Sequence, residues 1–280
     1  PGIQTSTGPG DILDWDEEEC RAWHAPFVYH SMRALAWTTD GNVWATGSNA
    51  TSSDDTTASV DVILLNGDTG ETIELFTLDT ADVVSGSHGH GGYGGVVDGE
   101  DNFWIVQIYS QIMTKVNYND FTYETWDQPV GAYGIAFDAE GRIWTCNEKV
   151  ARYDPLLNVW ETSNTIATAP YYNLAGGCMA DGQGTLWNSI GDTLYAIDTE
   201  TLNVVDQITT LPGLTQPNGE DSYWGVALDV DGFVWTIPRN GSEAFKVNPI
   251  DDTYETVNGL VGAYTYSDMT GHALHMADVQ

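Results

Sequence analysis

The sequence predicts an all-β, six-bladed β-propeller with four-stranded blades, on three observations. First, a small residue is followed ten positions later by tryptophan: Ala34 and Trp44, Gly94 and Trp104, Gly134 and Trp144, Gly177 and Trp187, Gly225 and Trp235. Second, the tryptophans are spaced by 60, 40, 43 and 48 residues, the length of one blade each. Third, each copy is followed by an apolar–Asp/Asn step and a polar turn, the mark of a second hairpin.

The clearest copies of the first hairpin are GIAFDAEGRIW (Gly134–Trp144) and GVALDVDGFVW (Gly225–Trp235). Alternation on both sides of an Asp/Gly turn puts small residues such as Gly134 and Ala136 on one face and Ile135 and Phe137 on the other. A small face against a neighbour's large face lets twisted sheets pack side by side around an axis, with the tryptophan over the seam. The second hairpin reads LNGDTGET (Leu65–Thr72), VNYNDFT (Val116–Thr122), YDPLLNV (Tyr153–Val159), IDTETLN (Ile197–Asn203) and VNPIDDT (Val247–Thr253). A sixth copy, WDEEECR (Trp15–Arg21), precedes the first tryptophan, and a sixth inner-strand start, GHALHM, begins at Gly271. The expected ring is therefore closed by N-terminal outer strands joined to a C-terminal inner strand over Gly271–Leu274, which removes free sheet edges. Residues 1–280 form one domain in this reading, with a linker-like start over 1–10 and a polar loop insertion over 48–59.

Composition bounds the function. Eight Lys and Arg face 41 Asp and Glu, a formal net charge of −33. Such a surface repels phosphate backbones, so nucleic-acid binding and attachment to anionic membranes are excluded as expectations. No apolar run reaches membrane-spanning length, so no membrane insertion is expected. The acidity, the scarcity of Lys and the wealth of Thr, Ser, Asn and Gly point to an extracellular or cell-surface setting and a monomer. Of three cysteines (Cys20, Cys146, Cys178), at most two pair within the chain, and their spacing matches no zinc site. Buried, unpaired thiols remain the alternative.

The segments leading into the inner strands converge on one mouth of a propeller's channel. Here they carry a surplus of aromatics. Tyr93, Tyr133 and Trp224 stand immediately before the repeat glycine, and Arg33 stands at the same place in the first blade. Tyr172, Asn173 and Asp268 crowd the same rim, and His30 and His90 each stand four positions before the repeat start. The candidate ligand-binding residues are Tyr93, Tyr133, Tyr172, Trp224, Asn173 and Asp268, for a small molecule, glycan or peptide held by stacking and hydrogen bonds. The opposing reading is that these rings simply plug the channel. Candidate catalytic residues are His30, His90 and Arg33, and candidate metal ligands are His30, His90 and Asp268. No cofactor is required by the sequence, and calcium or magnesium is the metal such a rim would take.

The pattern G-[IV]-A-x-D-x-x-G-x-[IV]-W at blade spacing resembles the streptogramin (virginiamycin B) lyase, NHL and SMP-30 group of propellers. In the lyases the resemblance implies a histidine beside the inner-strand glycine and a glutamate shortly after a blade tryptophan, with magnesium. This chain carries Tyr93, Tyr133 or Trp224 at the first place. At the second it carries Gly47, Gln107, Asn147, Ile190 and Pro238, with Glu148 one residue later. The lactonase relatives imply a Glu/Asn/Asp set on calcium, which Asn173, Asn218 and Asp268 imitate loosely. The expected function is a ligand-binding propeller with an aromatic and histidine-lined mouth. Its alternatives are a metal-assisted lyase or lactonase, and a passive structural domain.

Overall fold

The computed structural model describes residues 4–7, 10–11, 13–14, 17–52, 55, 57–79, 90–108, 110–167, 176–209, 211–212, 223–239 and 241–263. Twenty strands form five four-stranded antiparallel sheets, each built from consecutive strands. The first blade holds β1 (Leu35–Trp37), β2 (Val43–Ser48), β3 (Val60–Leu65) and β4 (Thr72–Leu78). The second holds β5 (Gly94–Val97), β6 (Phe103–Val106), β7 (Ile112–Val116) and β8 (Tyr123–Asp127). The third holds β9 (Gly134–Phe137), β10 (Ile143–Cys146), β11 (Val150–Asp154) and β12 (Val159–Thr162). The fourth holds β13 (Cys178–Ala180), β14 (Thr185–Ile190), β15 (Thr193–Asp198) and β16 (Val204–Ile208). The fifth holds β17 (Tyr223–Leu228), β18 (Val234–Pro238), β19 (Gly241–Val247) and β20 (Tyr254–Ala263).

The ten-residue offset is a matter of register. Trp44, Trp104, Trp144, Trp187 and Trp235 lie on the second strand opposite Ala36, Val96, Ala136, Met179 and Ala227. A turn with a left-handed residue three places before the tryptophan sets that register: Gly41, Gly141, Gly184 and Gly232 in four blades, Asp101 in the second. In three blades the turn's aspartate holds both ends of the arrangement. One oxygen of Asp138 accepts the N–H groups of Glu140 and Arg142, and the other accepts the indole N–H of Trp144 at 2.8 Å. Asp98 and Asp229 do the same for Trp104 and Trp235. The six-residue interval from Asp to Trp is the reach of that double contact. A cation lies against the same tryptophan: Lys115 over Trp104, Arg152 over Trp144 and Lys246 over Trp235. Burial pushes the Asp229 carboxyl up, but hydrogen bonds from Trp235, Phe233 and Lys246 outweigh it and hold the group below the ordinary carboxylate value.

The other two blades depart from this scheme. Trp44 donates instead to the carbonyl of Asp101 in the next blade at 3.0 Å, and Thr39 donates to the same aspartate's carboxylate. In the fourth blade Asp181 holds the turn, yet the buried indole N–H of Trp187 has no hydrogen-bond partner among the described residues.

Each of the first four tryptophans is buried in the next blade. Trp44 stacks on Phe103 at 5.6 Å, Trp104 packs on Ile135 and Phe137, Trp144 on Cys178 and Leu186, and Trp187 on Val226 and Leu228. The third and fourth blades are also joined covalently, by the disulfide Cys146–Cys178 between the end of β10 and the start of β13. Cys20 is a free, exposed thiol.

Among the described residues five blades are formed, not the six expected from the sequence. Glu17–Arg21, part of the presumed N-terminal outer hairpin, contains turns and no strand. The acids there bond locally instead: Glu18 accepts from Ser6 and Glu19 from the Gln4 N–H. Hydrogen bonds from Thr5 and Ser6 hold the Glu18 carboxyl down at about 2. Gly271–Leu274, the presumed inner strand, lies outside the described residues. The next segment, Trp23–Tyr29, alternates as a strand would but lies flat on the first blade. Trp23, Ala25, Phe27 and Tyr29 cover Val43, Ile63 and Leu65. Trp23 donates to the Gly67 carbonyl at 2.6 Å and Tyr29 to Asp61 at 2.9 Å. Just beyond it, Ser31 pairs with a strand by a bridge to Ser48. The cover is incomplete toward the axis, where Leu35 and Trp37 remain about half exposed while their third-blade equivalents Ile135 and Phe137 are buried.

Reducing Cys146–Cys178 is expected to cost about 3–4 kcal/mol of unfolding free energy for a loop of this length. The check is denaturant unfolding with and without reductant, with Cys20 as the single thiol alkylated in the native oxidised protein. Asp138→Ala leaves the Trp144 indole and two turn amides without an acceptor, and is expected to cost about 3–5 kcal/mol. Asp251→Ala on an exposed turn should stay within about 1 kcal/mol in the same assay.

Candidate functional site

The inner-strand starts do converge. The backbone N–H of Tyr93 donates to Val106 and that of Tyr133 to Cys146, which holds each ring at the top of its own blade. The rings then meet. Tyr93 and Tyr133 lie 5.0 Å apart with their hydroxyls 3.3 Å apart, and Trp224 meets Tyr133 edge-on at 4.9 Å. With Ile108 they form one buried cluster contributed by the second, third and fifth blades. Edge-on and tilted contacts at these separations are the favourable arrangements for aromatic pairs.

The fourth blade contributes a glycine where the others carry Arg33, Tyr93, Tyr133 and Trp224. A Cβ on Gly176 would stand 2.5 Å from the Trp224 carbonyl oxygen and 2.6 Å from that of Tyr223, and would also meet Ser189 Oγ. The close approach is fixed by hydrogen bonds from Gly176 N–H to Ser189 and from Gly177 N–H to Trp224. The missing side chain is what lets Trp224 reach across the fourth blade to Tyr133.

Cations flank the cluster on both sides. The Arg33 guanidinium lies 5.0 Å over the Tyr93 ring and its Nε donates to Ser31 Oγ at 2.7 Å. Arg239 lies 4.8 Å over Trp224. His90 meets Tyr93 edge-on at 6.2 Å. Beside Ile108, both amide atoms of Gln107 and the hydroxyl of Ser110 are buried with no hydrogen-bond partner among the described residues.

The structure thus brings together Tyr93, Tyr133, Trp224, Arg33 and His90. His30 is different: its side chain is exposed and its N–H is bound to the Ser48 carbonyl. Tyr172, Asn173, Asn218 and Asp268 lie outside the described residues. No group of three or more His, Cys, Asp or Glu side chains suited to a metal ion occurs among the described residues, and Asp268 lies outside them. Arg239 and Ile108 were missed by the sequence reading. Both stand four residues past a blade tryptophan, Trp235 and Trp104, but the residue type at that place varies from blade to blade, with Ser48, Glu148 and Gly191 in the others.

A cleft of about 290 Å³ lies at the opposite end of the fourth and fifth blades, lined by Asp181, Leu228, Asp229, Asp231 and Ile250 among others. Its Asp229 carboxylate is engaged by Trp235 and by Lys246 at 3.2 Å.

Gly176→Ala is expected to destabilise by about 1–3 kcal/mol through overpacking and to change the near-ultraviolet circular dichroism of the aromatic cluster. Gly131→Ala, whose Cβ would meet only the Ile108 carbonyl at 3.7 Å, should stay within about 0.5 kcal/mol.

No family model matches the chain, and no curated protein matches it in sequence. Solved structures do match in fold. A streptogramin B lyase superposes with a TM-score of 0.64 at 15% identity over 84% of this chain and 70% of the lyase. Virginiamycin B lyase from Staphylococcus aureus gives 0.61 at 14% identity, over 81% of this chain and 69% of the lyase. A catalytically inactive variant of that lyase with quinupristin gives 0.60 at 15%, over 84% and 72%. At these identities the likeness is one of fold, and by fold this chain is a β-propeller similar to the streptogramin lyases.

Proposed function

We propose that this protein is an extracellular or cell-surface ligand-binding propeller that takes a small organic ligand at the channel mouth. The observation that carries the reading is the convergence of Tyr93, Tyr133 and Trp224 from three blades, flanked by Arg33, His90 and Arg239. A ligand seated at the edge of this buried cluster would meet aromatic carbon, and charged and polar groups at its margin would fix its orientation. The buried polar atoms of Gln107 and Ser110 support the same reading, since unpaired groups of this kind cost about 1–3 kcal/mol each unless something supplies a partner. The extracellular part of the proposal draws support from the buried Cys146–Cys178 bridge and the net charge of −33. The lyase alternative lacks a residue match at the inner-strand glycine, where Tyr93, Tyr133 and Trp224 stand.

The test is a ligand screen of small glycans, aromatic acids and amides, short peptides and quinupristin, read by intrinsic fluorescence and saturation-transfer NMR. A binder is expected to lose at least about tenfold in affinity, or 1.4 kcal/mol, in Trp224→Leu and in Tyr133→Leu. Circular dichroism must show both variants folded. Binding unchanged in both variants, or no binder in the panel, would overturn the mouth as a ligand site and leave the rings as a plug.

A further inference from the structure

The fourth blade lacks one part that three of its neighbours share. In the second, third and fifth blades the turn aspartate uses a single oxygen, Oδ2, for two partners. That oxygen accepts the indole N–H of Trp104, Trp144 or Trp235. It also meets a cation: Lys115 at 3.7 Å from Asp98, Arg142 at 2.7 Å from Asp138 and Lys246 at 3.2 Å from Asp229. The lysines stand opposite the tryptophan on the third strand of their blades, and Arg142 stands four residues past its aspartate. The fourth blade keeps the aspartate (Asp181) and the tryptophan (Trp187), but has Ala196 and Thr185 at those two places. The first blade carries Thr38 where the others carry aspartate. Among the five blades, the fourth alone has the carboxylate without its cation.

Both remaining partners show the gap. Asp181 Oδ1 accepts the N–H groups of Gln183 and Thr185, but no Lys or Arg pairs with this carboxylate among the described residues. The Trp187 indole N–H is buried with no acceptor there. Trp187 packs on Leu228, and Asp181 and Leu228 both line the cleft of about 290 Å³ between the fourth and fifth blades. The same cleft presents the exposed Asp231 and an apolar wall of Val230, Pro249 and Ile250. We propose that this cleft binds a primary alkylammonium group, carried by a free amine or a lysine side chain, which supplies the cation that the fourth blade lacks. The ammonium donates to Asp181 Oδ2, and its alkyl stem lies along Val230, Pro249 and Ile250. Held from the cleft side, the carboxylate then offers the same oxygen to Trp187, and the buried N–H gains an acceptor. The cleft is at the small end of the range for ligand sites, about 300 Å³ upward, which suits a short chain. The net charge of −33 draws cations to it. This site is separate from the channel mouth and does not depend on it.

The test titrates pentylammonium, pentanol and acetyl-lysinamide into the intact protein at about 0.15 M salt. Indole N–H resonances are followed by nitrogen–proton correlation NMR, with Trp187 assigned by its loss in Trp187→Phe. Pentylammonium is expected to bind at least about tenfold more tightly than pentanol and to move the Trp187 resonance downfield. Asp181→Asn, which keeps the turn acceptor, should remove that difference. Ala196→Lys should bring the resonance to its bound position without ligand, and should abolish amine binding. Acetyl-lysinamide binding as tightly as pentylammonium supports a lysine side chain as the source, and binding about tenfold more weakly supports a free amine. Equal shifts from amine and alcohol, no shift at about 10 mM, or the same shift from calcium alone would overturn the assignment. So would amine affinity unchanged in both Asp181→Asn and Ala196→Lys, with circular dichroism showing each variant folded.

Discussion

The indole wedged between blades is the interaction on which the rest of the structure depends. Each of Trp44, Trp104, Trp144 and Trp187 is almost wholly buried and fills the seam between its own sheet and the next. In the second and third blades the aspartate that shapes the turn also takes the indole N–H, so turn geometry and seam packing are set by one carboxylate. A propeller blade has few contacts beyond its two neighbours, and its orientation follows from how that single large side chain is seated. The aromatic cluster at the mouth is a consequence of this. Tyr93, Tyr133 and Trp224 can meet only because the seams rotate successive blades by the right amount.

Much of this was legible in the sequence because the repeat encodes local geometry. The Gly/Ala-to-Trp interval is a hairpin register, and the Asp-to-Trp interval of six is a hydrogen-bonding reach. Both are read without knowing the partner blade. Blade number was not legible in the same way. WDEEECR matched the pattern of a hairpin, but a pattern does not say whether a segment finds an edge to pair with, and Glu17–Arg21 form no strand; GHALHM lies outside the described residues. Trp23–Tyr29 shows the difference: its inward residues are those of a strand, yet they bind the face of the first blade through an indole N–H and a phenol hydroxyl. The mouth was partly legible for the same reason. Tyr93, Tyr133, Trp224 and Arg33 share one repeat position and could be aligned. Arg239 lies past the end of β18, where the repeat no longer constrains the residue type.

Charge is distributed with similar economy. Carboxylates crowd the turns, where Asp55, Asp120, Asp198 and Asp251 accept N–H and hydroxyl hydrogens from nearby threonines and the backbone and are held below the ordinary value by those bonds. Such groups favour the ionised fold above their unfolded pKa near 4 and lose that advantage as the pH falls through the lowered folded value. They are exposed, so solvent and salt moderate the effect. The cations described in the blades mostly neutralise the turn aspartates beside tryptophan.

The ring is therefore fastened unequally around its circumference. Between the third and fourth blades the fastening is covalent, through Cys146 and Cys178. On the outer face of the first blade it is a strap held by side chains, with one bridge at Ser31. Lifting the N-terminal strap off the first blade breaks only side-chain contacts, beginning at Trp23, whereas parting the third blade from the fourth requires breaking a covalent bond.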